Sequence, residues 1–326
     1  MADATPLRPH HPLISAVVPM WNEARSVTPL LDALEQALGP LGHPWELVAV
    51  DDGSCDGTGH TLVTELERRP GLRGVVLCLS RNFGKEAALS AGLQAARGDV
   101  VVPLDADLQD PPALIGPMLE QWRLGFDVVY AVRQRRQGDS KLKRITAFVF
   151  YRVLGSLSDT TIPADTGDFR LMDRAVVDAL CALPERSRFM KGLFAWVGFR
   201  QTAIPYERAA RTLGSSGWSY PRLWNLAVDG LTSFSRMPLQ VISSLGMVVA
   251  SLALLYGGWL AIRTLVFGVD LPGYASLITA ILFLGGLQLI STGVLGEYIG
   301  RIFIEVKQRP LYLIRERIER GPTPEP

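Results

Sequence analysis

From Leu13 onward, short apolar runs alternate with stretches of helical period, the pattern of a mostly parallel sheet with crossover helices. Candidate strands are residues 14–18, 46–50, 75–79, 100–104 and 128–132, and helical periods fit between them at 27–38, 58–68, 85–96 and 112–122. The last of these helices has proline in its first turn, where a missing amide costs little, so residues 105–110 fall in a strand-to-helix loop, the place where α/β proteins hold ligands. Beyond Val132 the pattern changes. Arg133, Arg135, Arg136, Lys141, Lys143, Arg144 and Arg152 interleave with Leu142, Ile145, Phe148, Val149 and Leu154, which fits a basic amphipathic helix on an anionic bilayer or, alternatively, a solvated basic face over an ordinary core stripe. A second amphipathic stretch, 223–234, leads through Pro238 into strongly apolar sequence.

That apolar sequence is where the composition concentrates its surplus. The chain is 48% hydrophobic, and residues 241–262 and 271–296 carry no charged side chain. A hydrocarbon core of ~30 Å needs roughly 20 helical residues, so both segments can span it, and their closeness makes a hairpin. Arg301, Lys307, Arg309, Arg315, Arg317 and Arg320 follow the second segment, while the short loop between the two holds only Arg263 and Asp270. The positive-inside rule then puts both termini in the cytoplasm, in a bacterial cell at the inner membrane. The expected organisation is a disordered tail at 1–12, a catalytic domain at 13–220, a juxtamembrane amphipathic helix at 221–238, two spans within 239–300 and a basic cytoplasmic tail at 301–326. The N-terminal residues contain no apolar run and so no signal peptide. A net charge of +1 argues against nucleic acid as a partner. Cys55, Cys78 and Cys181 form no metal or disulfide pattern and read as free thiols in a reducing compartment.

Chemistry concentrates in Asp105-Ala106-Asp107-Leu108-Gln109-Asp110. Carboxylates two apart at a strand end can converge on one divalent cation, with Mg²⁺ or Mn²⁺ suited to hard oxygen ligands; the alternative is an acidic helix-capping loop. Pro19-Met20-Trp21-Asn22-Glu23 and Asp51-Asp52-Gly53-Ser54 end two other strands. Their polar groups could face a base or ribose, or serve turns and caps.

Together these residues resemble the family 2 glycosyltransferases of GT-A fold, and within them the polyprenyl-phosphate hexose transferases. The likeness runs from about Ile14 to Arg309. It is carried by Ser80-Arg81-Asn82-Phe83-Gly84-Lys85-Glu86, by the Asp105 to Pro112 run, by Asp165-Thr166-Gly167-Asp168-Phe169-Arg170 and by residues 227–238. The resemblance implies a GT-A catalytic domain, interfacial helices and a two-helix membrane hairpin. It implies that Pro19, Asn22, Glu23 and Asp52 line the nucleoside pocket, with Asp52 against the base, and that Lys85 helps bind the nucleotide sugar. Asp105 and Asp107 would bind the donor diphosphate through Mg²⁺ or Mn²⁺, Gln109 completing the shell. Asp168 matches the acceptor-side carboxylate, and Arg133, Arg136, Arg170 and Arg211 are candidates for holding phosphate. One departure is Gly217, where the family pattern leads one to expect lysine.

The implied reaction moves a hexose, glucose being the best guess, from a UDP-sugar to a polyprenyl phosphate with inversion. A processive polysaccharide synthase would carry Q-x-x-R-W, which Gln121-Trp122-Arg123 does not match. A membrane-tethered nucleotide-sugar binding module would lack the intact aspartate pair, and a dinucleotide oxidoreductase would need glycines that residues 19–24 do not contain. Galactose, N-acetylglucosamine and aminoarabinose remain open as the sugar, and a homo-oligomer remains open as the assembly.

Overall fold

A computed structural model describes residues 8–133, 166–186, 188, 190–206, 237–267 and 273–321. Its centre is an eight-stranded sheet in the order β7-β5-β6-β4-β1-β2-β3-β8. β1 (Ile14–Met20), β2 (Trp45–Asp51), β3 (Arg73–Leu79) and β4 (Val100–Pro103) run parallel. Each is a nearly continuous apolar run because both faces of the sheet are covered. On one face Leu30, Leu31, Leu34 and Leu38 of α1 (Val27–Leu38), Leu62 and Leu66 of α2 (Thr58–Glu67), and Ile115, Met118, Leu119 and Trp122 of α4 (Ile115–Arg123) pack on Ala16, Val18, Leu47 and Ala49. On the other, Leu89 and Leu93 of α3 (Lys85–Ala95) join Val17, Val48 and Val101. Alternate strand residues therefore serve opposite layers.

The sheet is mostly parallel, as expected, with three antiparallel pairs. β5 (Val128–Arg133), β6 (Thr166–Asp173) and β7 (Gln201–Tyr206) extend it beyond β4, with β6 antiparallel to both β4 and β5 and β5 parallel to β7. α5 (Arg174–Ala182) and α6 (Met190–Trp196) then close the second layer with Val176, Val177, Leu180, Leu193 and Phe194. Asp173 caps α5 by accepting the Ala175 N–H at 3.0 Å, and its other oxygen accepts the buried Trp122 indole N–H at 2.7 Å.

Two long helices follow, α7 (Met237–Phe267) and α8 (Tyr274–Lys307). Residues Val241–Trp259 of α7 have a mean hydropathy of 1.8 and are long and apolar enough to cross a membrane. Two boundaries differ from the sequence reading. Residues 301–326 are not simply a tail: α8 runs on to Lys307, and Ile314–Arg320 forms β8, antiparallel to β3 at the far edge of the sheet. Ile318 there packs against the main core, which gives this charged segment a reason to add to the sheet. The N-terminal tail is likewise anchored from Arg8, whose guanidinium pairs with Asp127 at 2.8 Å and lies over the Trp122 ring. The amphipathic stretches 134–154 and 223–234 lie outside the described residues.

Candidate active site

The chain runs β1, β2, β3 in one direction across the sheet and then returns to place β4 on the other side of β1. In open α/β sheets the crevice beyond the strand ends at such a reversal is where ligands bind. Asp105 follows β4, Asn22 follows β1, Asp51 and Asp52 end β2, and Lys85 opens α3 after β3. Asn22, Asp51, Asp52, Lys85 and Asp105 thus come to the same end of the sheet because the topology brings these strand ends together.

Lys85 is the hub. Its ammonium lies 2.6 Å from Asp105 Oδ1 and 2.7 Å from Asp168 Oδ2, joining the expected donor-side and acceptor-side carboxylates through one cation. Burial works against the charge on Lys85, but Asp168 and Asp105 outweigh it and hold the lysine above its ordinary range. Asp168 shows the reverse balance: burial would raise its pKa, yet Lys85, Lys191 and Arg170 together hold it below the usual carboxylate value. Asp105 ends up raised, first by burial and then by the charges of Asp168 and Asp107, against the pull of Lys85.

The loop after β4 presents its acids through a left-handed turn. Leu108 has φ 54°, unusual for a residue with a branched side chain. The Asp107 carboxylate accepts the Gln109 N–H at 3.1 Å. Gln109 is 3% exposed, and its Nε2 has no hydrogen-bond partner. The mutually repelling carboxylates are a pair that a hard cation would satisfy, and the orphaned Gln109 side-chain NH₂ is a donor that a phosphate oxygen would satisfy. Among the described residues no three His, Cys, Asp or Glu side chains form a metal cluster, so protein ligands alone would leave the shell to be completed by substrate. The residues therefore fit a divalent ion held jointly with a diphosphate.

Several expected contact residues turn out to brace the walls. Asp52 is 2% exposed, and its two oxygens accept the N–H groups of Phe83 at 2.7 Å and Gly84 at 2.9 Å. It fixes the 80–84 loop and is not offered to a base; burial raises its pKa despite these bonds. Gly53 sits beneath the same loop with φ 67°, and a Cβ there would come within 2.4 Å of the Arg81 carbonyl carbon. Glu23 accepts the Ser26 hydroxyl at 2.5 Å, and Asn22, at φ 55°, accepts the Cys55 N–H at 3.0 Å. Both perform turn chemistry, although Asn22 remains exposed at the rim. Pro19 lies in β1 opposite Val50.

Arg170 also differs from its expected role of binding phosphate. It is 4% exposed, donates to the Gly167 carbonyl at 2.9 Å and stacks on Phe194 at 3.8 Å, and burial draws its pKa down to about 10. It holds the strand that carries Asp168. Arg133 ends β5, while Arg136 and Arg211 lie outside the described residues.

Two groups escaped the sequence reading. Glu86, within the Ser80 to Glu86 run, has its pKa pushed up to about 7 by burial and by Asp168, and it accepts the Met190 N–H. Lys191 acts on both Asp168 and Glu86. Its only sequence signal was a lone lysine inside the apolar stretch 189–196.

A crevice lined by carboxylates and a lysine at a sheet reversal precedes two long helices, one of them long and apolar enough to cross a membrane. The chain belongs to glycosyl transferase family 2, whose model matches residues 15–181, and residues 237–302 match the GtrB C-terminal hairpin. Its catalytic domain is of the GT-A type. The chain is 51% identical to an uncharacterized glycosyltransferase of Synechocystis over 93% of its own length and 95% of the relative's. It is 47% identical to the SfII prophage-derived bactoprenol glucosyl transferase of Shigella flexneri, over 93% and 97%. A prophage bactoprenol glucosyl transferase homolog of Escherichia coli is 44% identical over 93% and 98%.

Proposed function

We propose that this enzyme transfers glucose from a nucleoside-diphosphate sugar, UDP-glucose, to a polyprenyl phosphate at the cytoplasmic membrane surface, with inversion at the anomeric carbon. The observation that carries this reading is Lys85 bridging Asp105 and Asp168, because it puts the donor-side and acceptor-side carboxylates within one side chain of each other. Near full-length similarity to bactoprenol glucosyl transferases supports the acceptor and the sugar.

In this reading Asp105, Asp107 and Gln109 would hold Mg²⁺ or Mn²⁺, which would supply positive charge to the departing diphosphate. Lys85 adds a fixed positive charge beside that leaving group. One oxygen of the acceptor phosphate attacks the anomeric carbon from the side opposite the departing diphosphate, the new C–O bond forming as the sugar–diphosphate bond breaks. A phosphomonoester has a second pKa of ~6, so at neutral pH the nucleophile is largely a dianion and needs little base catalysis. Asp168, kept anionic by Lys85, Lys191 and Arg170, orients the acceptor or the sugar hydroxyls. Arg170 keeps Asp168 in place from behind. The hairpin of α7 and α8 spans the bilayer twice, with both chain ends cytoplasmic, and so brings the site to a lipid that cannot leave the membrane.

The test is to offer purified enzyme a panel of radiolabelled UDP-, GDP- and dTDP-sugars with undecaprenyl phosphate and to count lipid-extractable label. UDP-glucose with Mg²⁺ or Mn²⁺ should give the highest count, and excess chelator should abolish it. Label from no donor, or full turnover in chelator, would refute the reading.

A further inference from the structure

The segment that crosses from α8 to β8 lines one side of an open cavity of about 340 Å³, lined also by Arg186, Arg188, Cys181 and Leu183. It is separate from the active site. Gln94, also in its wall, accepts the Tyr312 hydroxyl and stands near the end of the helix that Lys85 begins. At 1.5 Å per residue the two lie ~14 Å apart along α3.

The lining combines apolar surface with two guanidinium groups. Arg188 donates to the Leu183 carbonyl at 2.8 Å, the Glu185 carbonyl at 3.2 Å and the Ser90 hydroxyl at 3.3 Å. These partners are neutral, so they fix the guanidinium without cancelling its charge. Arg186 donates its backbone N–H to both oxygens of Glu305 on α8, at 2.9 and 3.1 Å, and its side chain is left to line the cavity. Leu183, Pro184, Pro310 and Leu311 supply the apolar part.

A second, independent observation fixes the level of this cavity relative to a bilayer. Ile299, Ile302, Phe303 and Val306 are 63%, 60%, 57% and 73% exposed. Their i, i+3, i+4, i+7 spacing makes a stripe along the last turns of α8. Arg301 and Glu305, on the opposite side, are partly buried, and Glu305 accepts the Arg186 N–H of the catalytic domain. The stripe continues the uncharged surface of residues 271–296, so apolar surface extends to within four residues of Pro310. Lys307 ends the stripe with its ammonium 4.0 Å from the Phe303 ring, a cation–π contact. On the membrane placement proposed above, the arginine-bearing cavity, beside the end of this stripe, would stand at headgroup depth.

We propose that this cavity binds the phosphate of an anionic membrane phospholipid, gripped by Arg186 and Arg188, with the acyl chains lying along the exposed stripe of α8. The site is distinct from the one that takes the polyprenyl acceptor, and it rests on the membrane placement proposed above. It also touches the catalytic machinery through the chain itself. Two and three residues beyond Arg188 come Met190, which bonds Glu86, and Lys191, which faces Asp168.

The experiment uses the full chain, purified in a neutral detergent, and follows its thermal midpoint during titration with phosphatidylglycerol, phosphatidylcholine or inorganic phosphate. Phosphatidylglycerol should raise the midpoint saturably and phosphatidylcholine should not. Arg186→Gln should keep the lipid-free midpoint while needing about tenfold more phosphatidylglycerol for half the response, the value of one charge-assisted hydrogen bond. Arg186→Lys should retain most of the wild-type response. Equal responses to the two lipids, or an unchanged Arg186→Gln titration, would overturn the proposal. So would a full response to inorganic phosphate at matched concentration, which would make the site one for a soluble anion. A chain that stays in solution without detergent would instead refute the membrane placement itself.

Discussion

At the scale of single residues, the site is a charge balance around Lys85, and its members should fail in different ways. Asp107→Asn removes a charged oxygen from the cation site and should weaken donor binding by at least about tenfold along with turnover. Asp168→Asn should leave donor affinity nearly unchanged and lower kcat by about 10²-fold, a loss that shrinks as pH rises and more acceptor becomes dianionic. Donor calorimetry and turnover across pH 6 to 9 separate the two; unaltered turnover in a folded Asp168→Asn enzyme would remove that residue from the mechanism. Glu86 gives a stability signature instead. Its folded pKa of about 7 lies above that of an unfolded glutamate, so the folded state binds the proton more tightly. Stability from this group is complete below the unfolded value near 4.5 and is lost as pH rises through about 7. Glu86→Gln should abolish that loss, gaining on the order of 1–2 kcal/mol relative to wild type at pH 8 and little at pH 5. Thermal midpoints at the two pH values decide it.

At the scale of elements, the loop 80–84 is held from below by Asp52 and packed against Gly53. Gly53→Ala must relieve both a left-handed backbone and a contact with backbone atoms of Arg81, so it should cost about 2 kcal/mol or more and displace the loop that leads into Lys85. A fall in thermal midpoint accompanied by weaker donor binding is the expected pair; a normal midpoint would show that the loop yields freely. The strands β1 to β4 and the helices between them were legible because each repeats one signal, an apolar run followed by an amphipathic period. β6, β7 and β8 were not. Thr166 to Asp173 alternates charged and apolar residues around Arg170, whose burial depends on stacking with Phe194 two elements later, and Ile314 to Arg320 reads as a charged tail until β3 supplies its partner. The carboxylates Asp105, Asp107 and Asp168 were legible as motifs. The bracing roles of Asp52, Glu23 and Arg170 were not, since whether a polar side chain faces a ligand or a neighbouring amide is decided by loops distant in sequence.

At the scale of the whole molecule, the hairpin matching residues 237–302 divides the chain into a catalytic part and a returning segment. On the proposed topology, with both ends cytoplasmic, a cysteine introduced near Pro272 should react with an impermeant reagent added to intact cells, and one at Arg320 should react only after permeabilisation. The reverse pattern would invert the topology.

The position of β8 has a consequence for how the protein is made. Synthesis runs from the N-terminus, and domains generally fold in that order, so β1 to β7 leave the ribosome before either long helix. β8 leaves it after both. Until then β3 is an open edge, with the N–H and C=O groups that later meet residues 314–320 available to any passing strand. On the proposed membrane placement, the nascent catalytic domain therefore waits, incomplete, while the hairpin enters the bilayer. Its sheet is completed by a segment translated after both long helices, and on the proposed topology that segment must emerge on the same side of the membrane as the rest of the sheet, which makes correct insertion a precondition for a finished enzyme.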